Sequence, residues 1–362
     1  ETNHYLLNLD DTPVEYDRAA NLVRVDYGLR SGDGYAGATN RVVFNHAARC
    51  LPDATCDHDH PENWPDTPLD QACDGTADDC SNIYTPTFFT DRRLSTITTQ
   101  VRVNGAWTSV DRWTLRHSWP DPGDSTRAGL WLEGITRTGL AGDDPIDLPE
   151  VTFDGVQLSN RVQQTLDTRA PMNWFRISAI RNGTGGVTTV NYSDTECDAK
   201  NGVMPSSPED NDMRCMPVIT TPAEDNGGTP EYDWYHKYVV TEVAEIDTVG
   251  GSPPVTTNYE YLGSPAWRFT DDDGLIDPGY KTWSQYRGYA TVRTITGDGS
   301  DDRLVSETTY FRGLHGQKLP DGTTTSVQVD GVTDHDEYAG RPRTQRTSLD
   351  GQVISKTTHT PW

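Results

Sequence analysis

The clearest pattern in the chain is alternation. Leu94-Ser95-Thr96-Ile97-Thr98-Thr99-Gln100-Val101-Arg102-Val103 is rich in β-branched side chains, and Asn104-Gly105 follows at once. Successive side chains of a strand project to opposite faces, so this run predicts a strand. Asn-Gly suits both positive-φ positions of a type I′ turn, the tight link between antiparallel strands. The return strand is predicted at 106–110, and 112–119 continues in the same style. Comparable runs predict strands at 22–29, 41–45, 130–138, 150–158, 174–181, 186–192, 237–247 and 255–262, then at 289–296, 303–311, 326–329, 343–348 and 352–358. Turn dipeptides punctuate them: Asn182-Gly183, Gly185-Gly186, Gly250-Gly251, Asp298-Gly299, Asp321-Gly322, Asp330-Gly331 and Asp350-Gly351. No stretch shows a helical period, and 32 Gly with 23 Pro disfavour long helices. The expected fold class is all-β, antiparallel hairpins stacked into an extended or curved sheet. Three stretches, 50–85, 120–127 and 193–231, read as long loops.

Composition sharpens this picture. Only 33% of residues are hydrophobic, yet 10 Trp and 16 Tyr are present. A disordered chain is poor in aromatic and β-branched residues. The chain is therefore expected to fold around thin or extended sheets and not around one thick core. Its 55 acidic and 30 basic residues leave a net charge of −25. That balance argues against nucleic acid, whose phosphates need a basic face, and against anionic membranes. No apolar run approaches the length of a membrane span, so no membrane insertion is expected.

Six cysteines, Cys50, Cys56, Cys73, Cys80, Cys197 and Cys215, lie in loops rich in Pro, Asp and Gly, and none forms a C-x-x-C pair. They read as disulfides, with Cys197–Cys215 the simplest pairing and three connectivities open among the other four. Disulfides imply export, so the chain is expected to be secreted or cell-surface, as a processed product or a segment of a longer exported protein.

Candidate chemistry is sparse. In Asp271-Asp272-Asp273-Gly274-Leu275-Ile276-Asp277, the carboxylates of Asp271, Asp272, Asp273 and Asp277 offer hard oxygen ligands around a turn, which suits Ca²⁺, although the EF-hand register is absent. Asp57-His58-Asp59-His60 alternates carboxylate and imidazole but supplies only two imidazoles where a transition metal needs three or four ligands. A solvated loop is the favoured reading there. Trp64, Trp107, Trp113, Trp119, Trp131 and Trp174 raise the alternative of a carbohydrate-binding or adhesin module for a cell-surface glycan. Aromatics on strands more often serve packing. Asn182 and Asn191 each open a glycosylation-type triplet. No nucleophile elbow, zinc-protease motif or phosphate loop is present, so no catalytic residue is named. A secreted hydrolase with an unrecognised acidic site is the remaining alternative.

Tyr16-Asp17-Arg18-Ala19-Ala20-Asn21-Leu22 and Tyr338-Ala339-Gly340-Arg341-Pro342 share a plan of Tyr, a small or acidic residue, a turn and a strand. This plan resembles the YD repeat of Rhs and teneurin-like proteins. Trp283-Ser284-Gln285-Tyr286-Arg287-Gly288-Tyr289-Ala290-Thr291-Val292, with Thr308-Thr309-Tyr310-Phe311-Arg312-Gly313, is similar to the region beside the repeats in actinobacterial members. It is also similar to the SpvB and toxin-complex B-component shell families. Trp113–Asp124 and Trp234–Val240 also look like segments of actinobacterial members. The resemblance implies a β-shell around a C-terminal domain, with the rest of its own longer chain and that domain as partners. On this basis the expected function is a non-enzymatic shell segment in toxin delivery or a cell-surface scaffold. The organisation read from the sequence is a repeat-like segment 1–49, a disulfide-rich insertion 50–85, a β-rich region 86–262 with the second disulfide loop at 193–231, and a region 263–362 leading into YD-like repeats.

Overall fold

The computed structural model describes residues 1–7, 12–29, 31–32, 37–76, 78–164, 168–221, 229–270, 277–297, 303–319 and 321–361. The fold is all-β, and the only helical elements among these residues are single 3-10 turns. Fifteen strands share one antiparallel sheet. From the edge strand Arg24–Tyr27 the neighbours run Asn40–Ala48, Arg92–Val103, Ala106–Ser118, Trp131–Gly139, Val151–Ser159, Asn173–Arg181 and Gly186–Tyr192. They continue through Val240–Asp247, Val255–Leu262, Thr291–Thr296, Leu304–Tyr310, Pro342–Leu349 and Gln352–Thr358, with the short Ile146–Asp147 paired on Trp131–Gly139. The order is that of a meander. Where it skips part of the chain, the skipped part forms its own hairpin. These hairpins are Cys215–Thr220 with Glu231–His236, Ala266–Arg268 with Gln285–Gly288, and Gln328–Val329 with Val332–Thr333.

The chain divides into two compact units. The first comprises Glu1–Pro122, Arg127–Asp154 and Ile180–Thr184. Its buried apolar side chains, Leu6, Cys50, Trp64, Cys80 and Ile83, lie in the N-terminal hairpin (Thr2–Leu6 with Pro13–Asp17) and the disulfide-rich segment. The sheet strands of this unit are mainly half-buried. Asp66 ties that segment to the sheet. Its carboxylate accepts from Arg49 Nε and Nη2 (2.9 and 2.6 Å), Leu130 N (2.9 Å) and Trp119 Nε1 (3.4 Å).

The second unit comprises Gly123–Thr126, Gly155–Ala179 and Gly185–Trp362. In an antiparallel meander, successive connections alternate between the two ends of the strands. Here the short turns fall at one end, and the long excursions 193–239, 263–290 and 311–341 fall at the other. The excursions carry the apolar burial. Val162 and the Cys197–Cys215 pair pack with Met204, Met213 and Trp234, and Trp267, Trp283, Tyr289 and Phe311 are buried in the second and third excursions. Across the sheet itself, cross-strand register sets Glu260 beside Arg293, Arg293 beside Glu307, Glu307 beside Arg346, and Arg346 beside Lys356. Arg293 bonds both acids, Nη1 to Glu260 and Nη2 to Glu307, each at 2.7 Å.

The strands expected at 186–192, 255–262 and 352–358 occur with those bounds. Asn104-Gly105, Asp330-Gly331 and Asp350-Gly351 each hold both residues at positive φ, between 46° and 85°, the condition for a type I′ turn. Other expectations need correction. The strands expected at 106–110 and 112–119 are one strand, Ala106–Ser118. Gln100 pairs with Ser109 and Thr99 with Asp111, so the break is a bulge at Val110 and not a turn. The loop expected at 193–231 contains Cys215–Thr220. Pro217 disguised that strand, because proline is excluded from central strands but tolerated in a two-stranded hairpin. The strand expected at 237–247 begins only at Val240, and that at 326–329 shrinks to Gln328–Val329. Asp298-Gly299 lies outside the described residues. The two repeat-like segments differ locally. Tyr16 lies within a strand, whereas Tyr338 ends a 3-10 turn, Asp336–Tyr338.

Candidate functional site

All six cysteines are bonded: Cys50–Cys56, Cys73–Cys80 and Cys197–Cys215, with Cα separations of 5.7, 5.0 and 6.3 Å. The pairing expected for Cys197 and Cys215 is present, and the other four pair with their nearest neighbours. Thiol chemistry has no group to use here, since no cysteine is free.

Of the expected metal ligands, Asp271, Asp272 and Asp273 lie outside the described residues. Asp277 caps the 3-10 turn Pro278–Tyr280 by accepting from Gly279 N at 2.7 Å. In the Asp57–His60 stretch the two imidazoles go to different partners. His58 Nε2 lies 3.4 Å from Asp91 Oδ2, while His60 Nδ1 lies 3.0 Å from Glu62. The hydrogen bond to Glu62 holds the His60 pKa above its ordinary value. No group of three His, Cys, Asp or Glu side chains able to hold a metal ion occurs among the described residues.

Most of the tryptophans singled out in the sequence are engaged by protein. Trp64 is buried and donates Nε1–H to Asp57 O. Trp107, Trp113 and Trp119 lie under the guanidinium groups of Arg41, Arg137 and Arg93, 4.2, 5.5 and 5.8 Å from their ring centroids. Trp131 Nε1 donates to Phe153 O, and Trp174 is exposed.

A cleft of about 570 Å³ is assembled by the excursions of the second unit. The loop between Cys197 and Cys215 brings Glu209 and Asp210. Trp267 comes from Ala266–Arg268, and Trp283 from the segment before Gln285–Gly288. Leu314, Gln317, Leu319, Asp321, Thr325 and Val327 come from the third excursion. The indole N–H groups are satisfied internally. Trp267 Nε1 donates to Met213 O at 3.0 Å. The buried Gln317, with its amide oxygen turned toward them, accepts from Trp283 Nε1 at 3.1 Å and Phe269 N at 3.0 Å. The hydroxyl and backbone N–H of Thr323 bond Asp321 Oδ1, holding its carboxyl below the usual range.

One wall is set by Asp334, which is fully buried. Its carboxylate accepts from Arg312 N (2.9 Å), Gly313 N (2.8 Å) and Leu314 N (3.1 Å), fixing the backbone that presents Leu314. Sequence reasoning did not find this cleft. Its residues come from separate segments, and no periodicity or spacing links them.

Comparisons with family models, curated proteins and solved structures find no match to this chain.

Proposed function

We propose that this chain is a structural segment of an exported protein of the Rhs/YD-repeat kind, a length of β-wall and not a catalyst. The observation that carries this reading is the fifteen-strand antiparallel sheet, whose strands are mostly half-buried. A terminal strand, Gln352–Thr358, is exposed at every residue. An edge of that kind presents unpaired N–H and C=O groups to whatever strand lies beside it. Three disulfides that clasp its loops suit an oxidising compartment. Toxin delivery and cell-surface scaffolding both need such a wall. In the resembling families the wall surrounds a C-terminal domain, which is the partner this reading assigns.

The test combines compartment with chemistry. Non-reducing peptide mapping of protein recovered from the culture medium is expected to return the three bridges. A screen against glycoside, ester and peptide substrates, with and without chelator, is expected to show no turnover. Free thiols in the exported protein, or a turnover abolished by chelator, would overturn the proposal.

A further inference from the structure

The first strand of the large sheet, Arg24–Tyr27, pairs among the described residues only with Asn40–Ala48, so its far side is an edge. Residues 22–29 are all exposed, and they include the large apolar side chains Leu22, Val23, Val25, Tyr27 and Leu29, each 43–65% exposed. The usual devices that keep an edge from pairing are missing: the stretch has no Pro, no Lys and no bulge against its neighbour. One hydrogen bond fixes which backbone groups look outward. Phe44 N donates to Val23 O at 3.0 Å. In an antiparallel ladder a residue directs its N–H and C=O to the same side, and the side alternates along the strand. Val23, Val25 and Tyr27 therefore face Asn40–Ala48, and Arg24 and Asp26 direct their backbone groups to the open edge.

The side chains make this edge complementary to itself. Arg24 and Asp26 share one face of the strand, with Arg24 Nε 2.7 Å from Asp26 Oδ2, and Val23, Val25 and Tyr27 alternate with them on the other. A second copy of the strand, arriving antiparallel, must set outward-directed residues opposite outward-directed residues. Over Arg24 and Asp26 that leaves three two-fold registers. Arg24 opposite Arg24 and Asp26 opposite Asp26 place like charges together, which is destabilising. The third sets Arg24 opposite Asp26 of the second copy, twice by symmetry. It also puts Val25 opposite itself on the axis and Val23 opposite Tyr27, a β-branched and aromatic pair of the favourable kind. We propose that the chain forms a two-fold dimer through Arg24–Tyr27 in this third register, with each Arg24 paired to Asp26 of the second copy. Such an interface is isologous and closed, so it stops at two copies.

The dimer goes beyond the wall reading, which needs no second copy, and its failure would leave that reading standing. The test is sedimentation velocity of the full chain from about 5 μM to about 500 μM. A contact this small is expected to give a reversible monomer–dimer equilibrium with Kd of about 100 μM. Arg24→Glu and Asp26→Lys, both at exposed positions, each set like charges across the interface and are each expected to weaken the dimer by about tenfold. Mixing the two variants is expected to restore dimers, because Glu at 24 then meets Lys at 26 and the remaining Asp26 meets Arg24. Unchanged circular dichroism of the single variants separates a lost contact from a lost fold. In Val25→Cys the two thiols meet on the axis, with Cα atoms about 4.5 Å apart, and mild oxidation is expected to cross-link the copies. Tyr27→Cys, which lies opposite Val23 and not opposite itself, is expected to cross-link far less. A monomer at every concentration, a dimer indifferent to both charge reversals, a mixture that fails to associate, or equal cross-linking through 25 and 27 would each overturn the proposal.

Discussion

Asp334 shows how this protein uses its polar residues. It is buried, yet three consecutive backbone N–H groups point at its carboxylate. Asp334→Ala would strand those donors, and leaving buried donors unpaired costs about 1–3 kcal/mol each at most sites. Urea denaturation is expected to show a loss of about 3 kcal/mol, with a smaller loss for Asp334→Asn, which retains one acceptor. A loss below about 1 kcal/mol would mean that the loop finds other acceptors. Titration effects are expected at the same scale. Burial, reinforced by Arg93, holds the His117 pKa below its ordinary value, and burial with Arg176 does the same to His236. The folded state therefore favours neutral imidazole at both. Their stabilisation is complete above about pH 6.5, the unfolded value, and is lost as pH falls through the lowered folded values. His117→Gln and His236→Gln are expected to flatten stability against pH in that window. Asp247 acts in a more acidic range. Backbone N–H groups of Gly250 and Val249 depress its pKa to about 2. Its contribution is present above about pH 4, the unfolded value, and disappears as pH falls through about 2. A carboxylate NMR titration of Asp247 measures this directly.

At the scale of elements, legibility in the sequence tracked how local the cause was. Asn104-Gly105 and Asp350-Gly351 announced their hairpins because turn geometry is set by two adjacent residues. Gly105→Ala places a Cβ at φ +85° and is expected to cost about 1 kcal/mol by thermal denaturation, with the sheet register retained. The excursion hairpins were not legible. Ala266–Arg268 spans three residues, too few to show alternation, and Cys215–Thr220 was masked by Pro217 and its acidic, proline-rich surroundings. The cleft was illegible for a related reason. Glu209, Trp267, Trp283 and Asp321 converge only because alternate connections of a meander share one end of the sheet. The Cys197–Cys215 bridge holds the first excursion against Val162 and Trp234. Replacing both cysteines with Ala is expected to lower stability by about 3 kcal/mol, from restored freedom of the unfolded loop. Little change would place the stability of that excursion in its other contacts.

For the whole molecule, the low apolar content has a structural counterpart. Buried polar residues are about as numerous as buried apolar ones among the described residues, and apolar burial concentrates in the excursions. The sheet depends instead on its ladder of backbone hydrogen bonds and on cross-strand pairs such as Glu260, Arg293 and Glu307. Exposed pairs contribute little individually, and Arg293→Gln is expected to cost about 0.5–1 kcal/mol, less at high salt. An architecture of this kind suits a surface to be enclosed or extended. The most direct test of the wall proposal is electron microscopy of the intact exported protein. This sheet is expected to line a lumen as part of a β-shell. A solid particle with no lumen, or one in which the sheet lies buried inside a compact core, would contradict it.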